Sequence, residues 1–129
     1  MNLIDTHSHL YGPEFDEDRE EALARAAGAG VGRLLLPAID SESHDRLFDL
    51  CRLHPQRCVP MIGLHPTSVN DNPRWQEELE LVEQLLAAPP EGIPSFCAIS
   101  GTIAARRLFL NVTTPPMPKR KSPSERSSR

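Results

Sequence analysis

Lysine is missing from the first 118 residues of this 129-residue chain, and residues 1–99 carry seven arginines as their only permanent cations. Residues 1–99 set 17 Asp and Glu against those 7 Arg, a balance of −10, so no broad basic face for nucleic acid is expected there. Aromatic residues are scarce at 5%. Apolar runs of about 18 residues are also missing, which excludes a helical membrane span. The N-terminus carries Asp5 and two histidines where a signal peptide would need a basic start and an apolar stretch, so export is not expected. Cysteine is limited to Cys51, Cys58 and Cys97, an odd count without a CxxC pair, which argues against a disulfide framework. Cys51 and Cys97 sit among apolar neighbours, where a thiol acts as a small hydrophobe. The expectation is a reduced, cytoplasmic protein.

What the chain does have is alternation. Residues 2–6 read as a short strand with Leu3 and Ile4 as its apolar content. "FDEDREEALARAAGAG" then shows an acidic first turn, helical spacing of Ala22, Leu23, Ala26 and Ala27, and Gly28 and Gly30 as stop signals. "VGRLLLPAID" is a near-continuous apolar run of the kind buried on both faces of a sheet. "SESHDRLFDLCRLHP" predicts an amphipathic helix with Leu47, Leu50 and Cys51 on one face and Pro55 at its end. "CVPMIGLHP" follows as a third strand. Asn72-Pro73 reads as the cap and first position of a third helix, striped by Trp75, Leu79, Val82 and Leu86. "IPSFCAIS" closes the pattern as a fourth strand. The order β-α-β-α-β-α-β implies an α/β fold with parallel strands, either a doubly wound sheet or part of a (β/α)8 barrel. "GTIAARRLFLNV" fits a short helix or a strand equally well. "TTPPMPKRKSPSERSSR", with its Pro, Ser and basic residues, predicts disorder.

In parallel α/β folds, functional groups gather at the carboxyl ends of the strands. His7 and His9 follow the first strand, and residues two apart on a strand point to the same side. Two imidazoles at that spacing can hold one divalent metal at about 2.0–2.1 Å. Asp5, two residues earlier, could be a further ligand or fix a histidine tautomer from behind. An isolated HxH also occurs without any metal role, so its place after a strand is what gives it weight. His65 in "GLHPTSV" follows the third strand, with Thr67 and Ser68 beside it. That segment reads either as an anion cradle or as an ordinary β-to-α turn. His44 and His54, near the two ends of the second helix, read as surface residues, and a cationic His54 suits the helix C-terminus. Ser8 has no base arranged to make it a nucleophile. Asp16, Glu17 and Asp18 read as a solvated helix start rather than a catalytic cluster.

Taken together, "LIDTHSHLYGPEFDEDREEALARAAGAGVGRLLLPAID" followed by "MIGLHPTSV" resembles the first part of the TatD-related metal-dependent hydrolases, over roughly residues 2–99. The resemblance implies a (β/α)8 barrel of amidohydrolase type and a deoxyribonuclease-like activity on phosphodiester bonds, with DNA as substrate and one or two divalent cations as cofactor. It assigns His7 and His9 as the first two metal ligands and His65 as the histidine beside the scissile phosphate. Mg, Mn and Zn are not distinguished.

The resemblance ends near residue 100. Where the family reads "GEIGLD", with a metal-bridging Glu, this chain reads "CAISGTIAARR", and no His follows His65. A full barrel takes about 250 residues. Two domains are therefore expected: a partial barrel of about four βα units over 1–99, and an unmatched basic tail over 100–129, out of frame or otherwise aberrant. The chain is expected to be truncated and inactive alone. Three alternatives stand beside this: a non-enzymatic product or nucleic-acid-binding fragment using the basic tail, a phosphoesterase of the PHP type, and a fragment completed by a separately encoded second half.

Overall fold

The structure is a computed structural model that describes residues 1–93 and Phe96. Except for Ile93 and Phe96, the expected fourth strand over 93–100 lies outside the described residues, as does the tail over 100–129. Three strands, β1 (Leu3–Asp5), β2 (Val31–Pro37) and β3 (Cys58–Met61), form one parallel sheet in the order β1-β2-β3. The register runs from Asp5 opposite Leu34 to Pro37 opposite Met61. Helix α1 (Arg19–Gly28) connects β1 to β2, and α2 (Ser41–Leu53) connects β2 to β3. Strands that follow one another in sequence and stay neighbours in the sheet are the repeat from which a (β/α)8 barrel is built.

The helix boundaries have local causes. The α1 C-terminus passes through Ala29 to Gly30, whose φ of +90° belongs to the glycine-favouring region, and Leu3 N–H donates to the Gly30 carbonyl. Asp40 caps α2 by accepting from Ser43 N–H, while the Ser43 hydroxyl oxygen accepts from Asp40 N–H. The expected third helix becomes two. His65 caps a six-residue helix α3 (Pro66–Asp71), and α4 (Trp75–Ala87) begins later than Asn72-Pro73 suggests. The reason is the residue before proline: Asn72 is held extended, and its side chain accepts from Arg74 N–H in a turn ahead of the helix.

The core lies between the sheet and the helices. Leu34 and Leu36 of β2 meet Leu23 of α1, Leu47, Phe48 and Cys51 of α2, and Leu79 and Val82 of α4 in one cluster. Ile93 is buried in it, and the Phe96 ring packs 5.8 Å from that of Phe48. Two expectations change. His44, read as a surface residue, is 5% exposed, because it shares the inward face of α2 with Leu47 and Phe48. Leu3 and Ile4, read as strand core, are 42% and 54% exposed, because β1 is an edge of the described sheet. Cys51 and Cys58 are buried free thiols, and burial pushes them up to about 12 and about 11, so both are inert. Cys97 lies outside the described residues. His54 closes α2 and sits 2.9 Å from Glu20 of α1.

Candidate metal centre at the carboxyl end of the sheet

Beyond β1 the chain bends at Thr6 and His7, and Ser8 N–H ties it back to the sheet by donating to the Leu35 carbonyl. This bend brings the rings of His7 and His9 together beyond the carboxyl end of β1. Their rings lie edge to face, with centroids 5.0 Å apart, and their Nε2 atoms are 3.2 Å apart. Both nitrogens are therefore within reach of one ion at bonds of about 2.0–2.1 Å. Neutral imidazole is the donor that zinc, manganese and related divalent ions accept, so the pair fits a metal as two of its ligands. Among the described residues, no group of three or more His, Cys, Asp or Glu could hold a metal ion, so the pair stands without a third ligand. Burial, then the neighbouring His7 and His65, push His9 below the usual histidine range and keep it neutral near pH 7.

Asp5 takes a backbone role in this arrangement. Its Oδ1 accepts the His7 N–H at 3.0 Å, which holds the turn that leads out of β1. Ser8 is half-buried, and no catalytic base among the described residues is hydrogen-bonded to its hydroxyl. The most heavily tied part of the loop is one that sequence reasoning missed. Tyr11 is buried, its hydroxyl donates to the Pro37 carbonyl at 2.6 Å, and the same oxygen lies 2.9 Å from His9 Nδ1. Burial pushes this phenol up to about 12.

Arg19 holds the next stretch by donating to the carbonyls of Leu10, Tyr11 and Gly12 and to Asp16. Asp16 is in turn held by Arg46 of α2 at 2.6 and 3.0 Å. The hydrogen bonds from Arg46 and Arg19 keep its carboxyl well below the usual carboxylate range. An aromatic two residues past HxH and an arginine at the start of the following helix were the signals available. Neither is specific enough to be read without the fold. A cleft of about 580 Å³ between α1 and α2 is lined by Tyr11, Asp16, Arg19 and Arg46, but none of His7, His9 or His65 lines it.

His65 stands at the end of the segment after β3, and its backbone N–H donates to the Ile39 carbonyl. Its Nδ1 accepts the Thr67 N–H at 3.3 Å and the Thr67 hydroxyl at 2.8 Å. A ring nitrogen that accepts carries no proton, so the proton of neutral His65 sits on Nε2, which is left as a donor. Pro66 has no N–H, and the amides of Thr67 and Ser68 both turn inward to His65, so the open donor here is the ring itself.

Comparison with known proteins shows the family. A family model described as "TatD related DNase" matches residues 4–94. The uncharacterized metal-dependent hydrolase YjjV of Escherichia coli is 37% identical over 88 residues, which is 68% of this chain and 33% of that protein. The 3'-5' ssDNA/RNA exonuclease TatD of Enterobacter lignolyticus is 32% identical over 69% of this chain and 33% of its own length. Human deoxyribonuclease TATDN3 is 32% identical over 51% of this chain. The crystal structure of YjjV, a TatD homolog, superposes with a TM-score of 0.60 at 34% identity, covering 70% of this chain and 34% of that one. The chain thus spans about a third of the length of the curated relatives it matches.

Proposed function

Because this chain belongs to the TatD-related DNase family, we propose that it carries the amino-terminal part of the centre of a metal-dependent hydrolase acting on phosphodiester bonds of DNA. One observation carries the reading: the Nε2 atoms of His7 and His9 converge to 3.2 Å at the carboxyl end of β1. His65 reaches the same end of the sheet with a free N–H.

A divalent ion, when bound, supplies an acidified water and a counter-charge for a phosphate. His7 and His9 hold it through Nε2 as neutral donors, and Asp5 keeps the His7 backbone in the turn that aims the ring. His65 donates from Nε2 to a phosphate oxygen, with its Nδ1 engaged by Thr67. The body of the protein is acidic, so attraction for a nucleic acid comes from the cation and this donor rather than from a basic face. Residues that complete the ligand set are not among the described ones, so this chain alone is expected to bind metal weakly and to hydrolyse DNA slowly or not at all. Its setting is the reduced cytoplasm. No helix of the described residues is long and apolar enough to cross a membrane.

The test is calorimetric titration of the full chain with Zn²⁺ and Mn²⁺, beside the His7→Ala/His9→Ala double variant, together with cleavage of a single-stranded oligonucleotide. Binding that the double variant loses supports the reading. Equal binding by both proteins overturns the assignment of the pair. Cleavage by the chain at rates ordinary for enzymes overturns its incompleteness.

A further inference from the structure

We propose that Tyr11 is a positioning residue that selects the metal-ready tautomer of His9. The inference rests on the reading of His7 and His9 as ligands, and concerns how one of them is prepared before an ion arrives.

The Tyr11 and Pro37 oxygens approach to 2.6 Å, and two oxygens come that close only with a proton between them. The Pro37 carbonyl cannot donate, so the proton is the phenol's own, and it is directed at Pro37. What Tyr11 then offers His9 Nδ1, at 2.9 Å, is a lone pair. Nδ1 must be the N–H of the ring, because the other tautomer would set two lone pairs against each other in a partly buried site. His9 Nε2 is thereby left unprotonated, facing His7. A ligating histidine needs this state, which a partner on the far ring nitrogen commonly enforces.

Tyr11 is able to select because it is held from three directions. Its ring is buried in the core cluster, its hydroxyl is bound to the last residue of β2, and its carbonyl accepts from Arg19. The two rings of the pair are therefore prepared unequally. Nε2 of His7 lies 3.2 Å from the lone pair of His9, so in the ion-free chain His7 carries its proton on Nε2 and donates it to His9. His7 must move that proton to Nδ1 before it can ligate, whereas His9 need not change. His65 is held in the opposite state to His9, with Nδ1 accepting from Thr67 and Nε2 protonated.

The experiment is a long-range proton–nitrogen correlation spectrum of the uniformly ¹⁵N-labelled full chain, ion-free and at mildly alkaline pH, followed by Zn²⁺ titration. Expected are His9 as the Nδ1–H tautomer, His65 as the Nε2–H tautomer, and a tautomer change at His7 alone when Zn²⁺ is added. Tyr11→Phe should turn His9 into a mixture, leave His65 unchanged, and weaken Zn²⁺ binding by about tenfold or more. Finding His9 as Nε2–H in the unmutated chain would overturn the proposal, and that measurement does not depend on whether any variant folds. A Tyr11→Phe chain with the same amide dispersion, the same His9 tautomer and the same affinity would overturn it equally. An Nδ1–H ring at His9 in a chain that binds no Zn²⁺ would instead overturn the metal reading and leave the tautomer assignment standing.

Discussion

The loop after β1 and the turn after β3 both bring a histidine to the same end of the sheet, and they hold it by opposite means. His9 sits in a loop fastened from outside, by Tyr11 to the end of β2 and by Arg19 and Asp16 to Arg46 of α2. His65 is fastened from within its own turn, by the backbone and hydroxyl of a residue two places on. The first arrangement directs a lone pair outward and the second directs an N–H. In the function proposed above, the same side chain would serve as an acceptor for a cation in one place and a donor for an anion in the other. What distinguishes them is which ring nitrogen the surroundings occupy.

The largest effect that would sharpen this contrast is on metal binding. Replacing His7 and His9 with Ala should abolish saturable Zn²⁺ binding, whereas His65→Ala should leave it within a few-fold of the parent. Loss of binding in His65→Ala would erase the distinction between the two sites. Next comes the fastening of the first loop. Arg19→Ala leaves three carbonyls without their charged donor and should cost about 1–3 kcal/mol in urea unfolding. No comparable loss is expected from Thr67→Val, which removes one exposed hydroxyl contact worth about 0.5–1.5 kcal/mol. Equal losses in the two variants would show the loop and the turn to be held alike.

Acid provides a further, graded test, because His44 differs from both histidines in being buried with no partner for its Nε2. Burial pushes it below the usual histidine range. The folded chain thus keeps His44 neutral where the unfolded chain already binds a proton. Its contribution to stability is complete above the ordinary value of 6.5 and is lost as pH falls from there through the lower folded value. His44→Phe should flatten the acid side of the stability–pH curve measured by urea titration. An unchanged slope in His44→Phe would mean that other groups govern the acid response.

Much of this was legible in the residues. Alternating apolar runs and amphipathic stretches announced β2, α2 and β3, because burial on a sheet and on one helix face imposes different periods. The HxH after a strand announced a pair of rings near one another at the strand end, although a bend at Thr6 and His7 rather than strand alternation brings them together. What could not be read were features that depend on distant neighbours. His44 looked like a polar surface residue because its local sequence is Ser, Glu and Asp. Only the orientation of α2 against the sheet turns it inward. Tyr11 and Arg19 looked unremarkable for a similar reason: their partners are the carbonyl of Pro37, 26 residues away, and the carbonyls of a loop whose path no local rule specifies.

From its sequence alone, then, this protein has an α/β repeat with His7, His9 and His65 at strand ends, since hydrophobic period and residue spacing are local properties. Tertiary structure decided that the Nε2 atoms of His7 and His9 meet, that Tyr11 and Thr67 engage the near nitrogens of their histidines, and that β1 stays exposed while Leu34 and Leu36 of β2 are buried. Hydrogen bonds and burial between segments tens of residues apart exist only once the chain has closed upon itself. A proton's place on an imidazole ring is settled by those contacts.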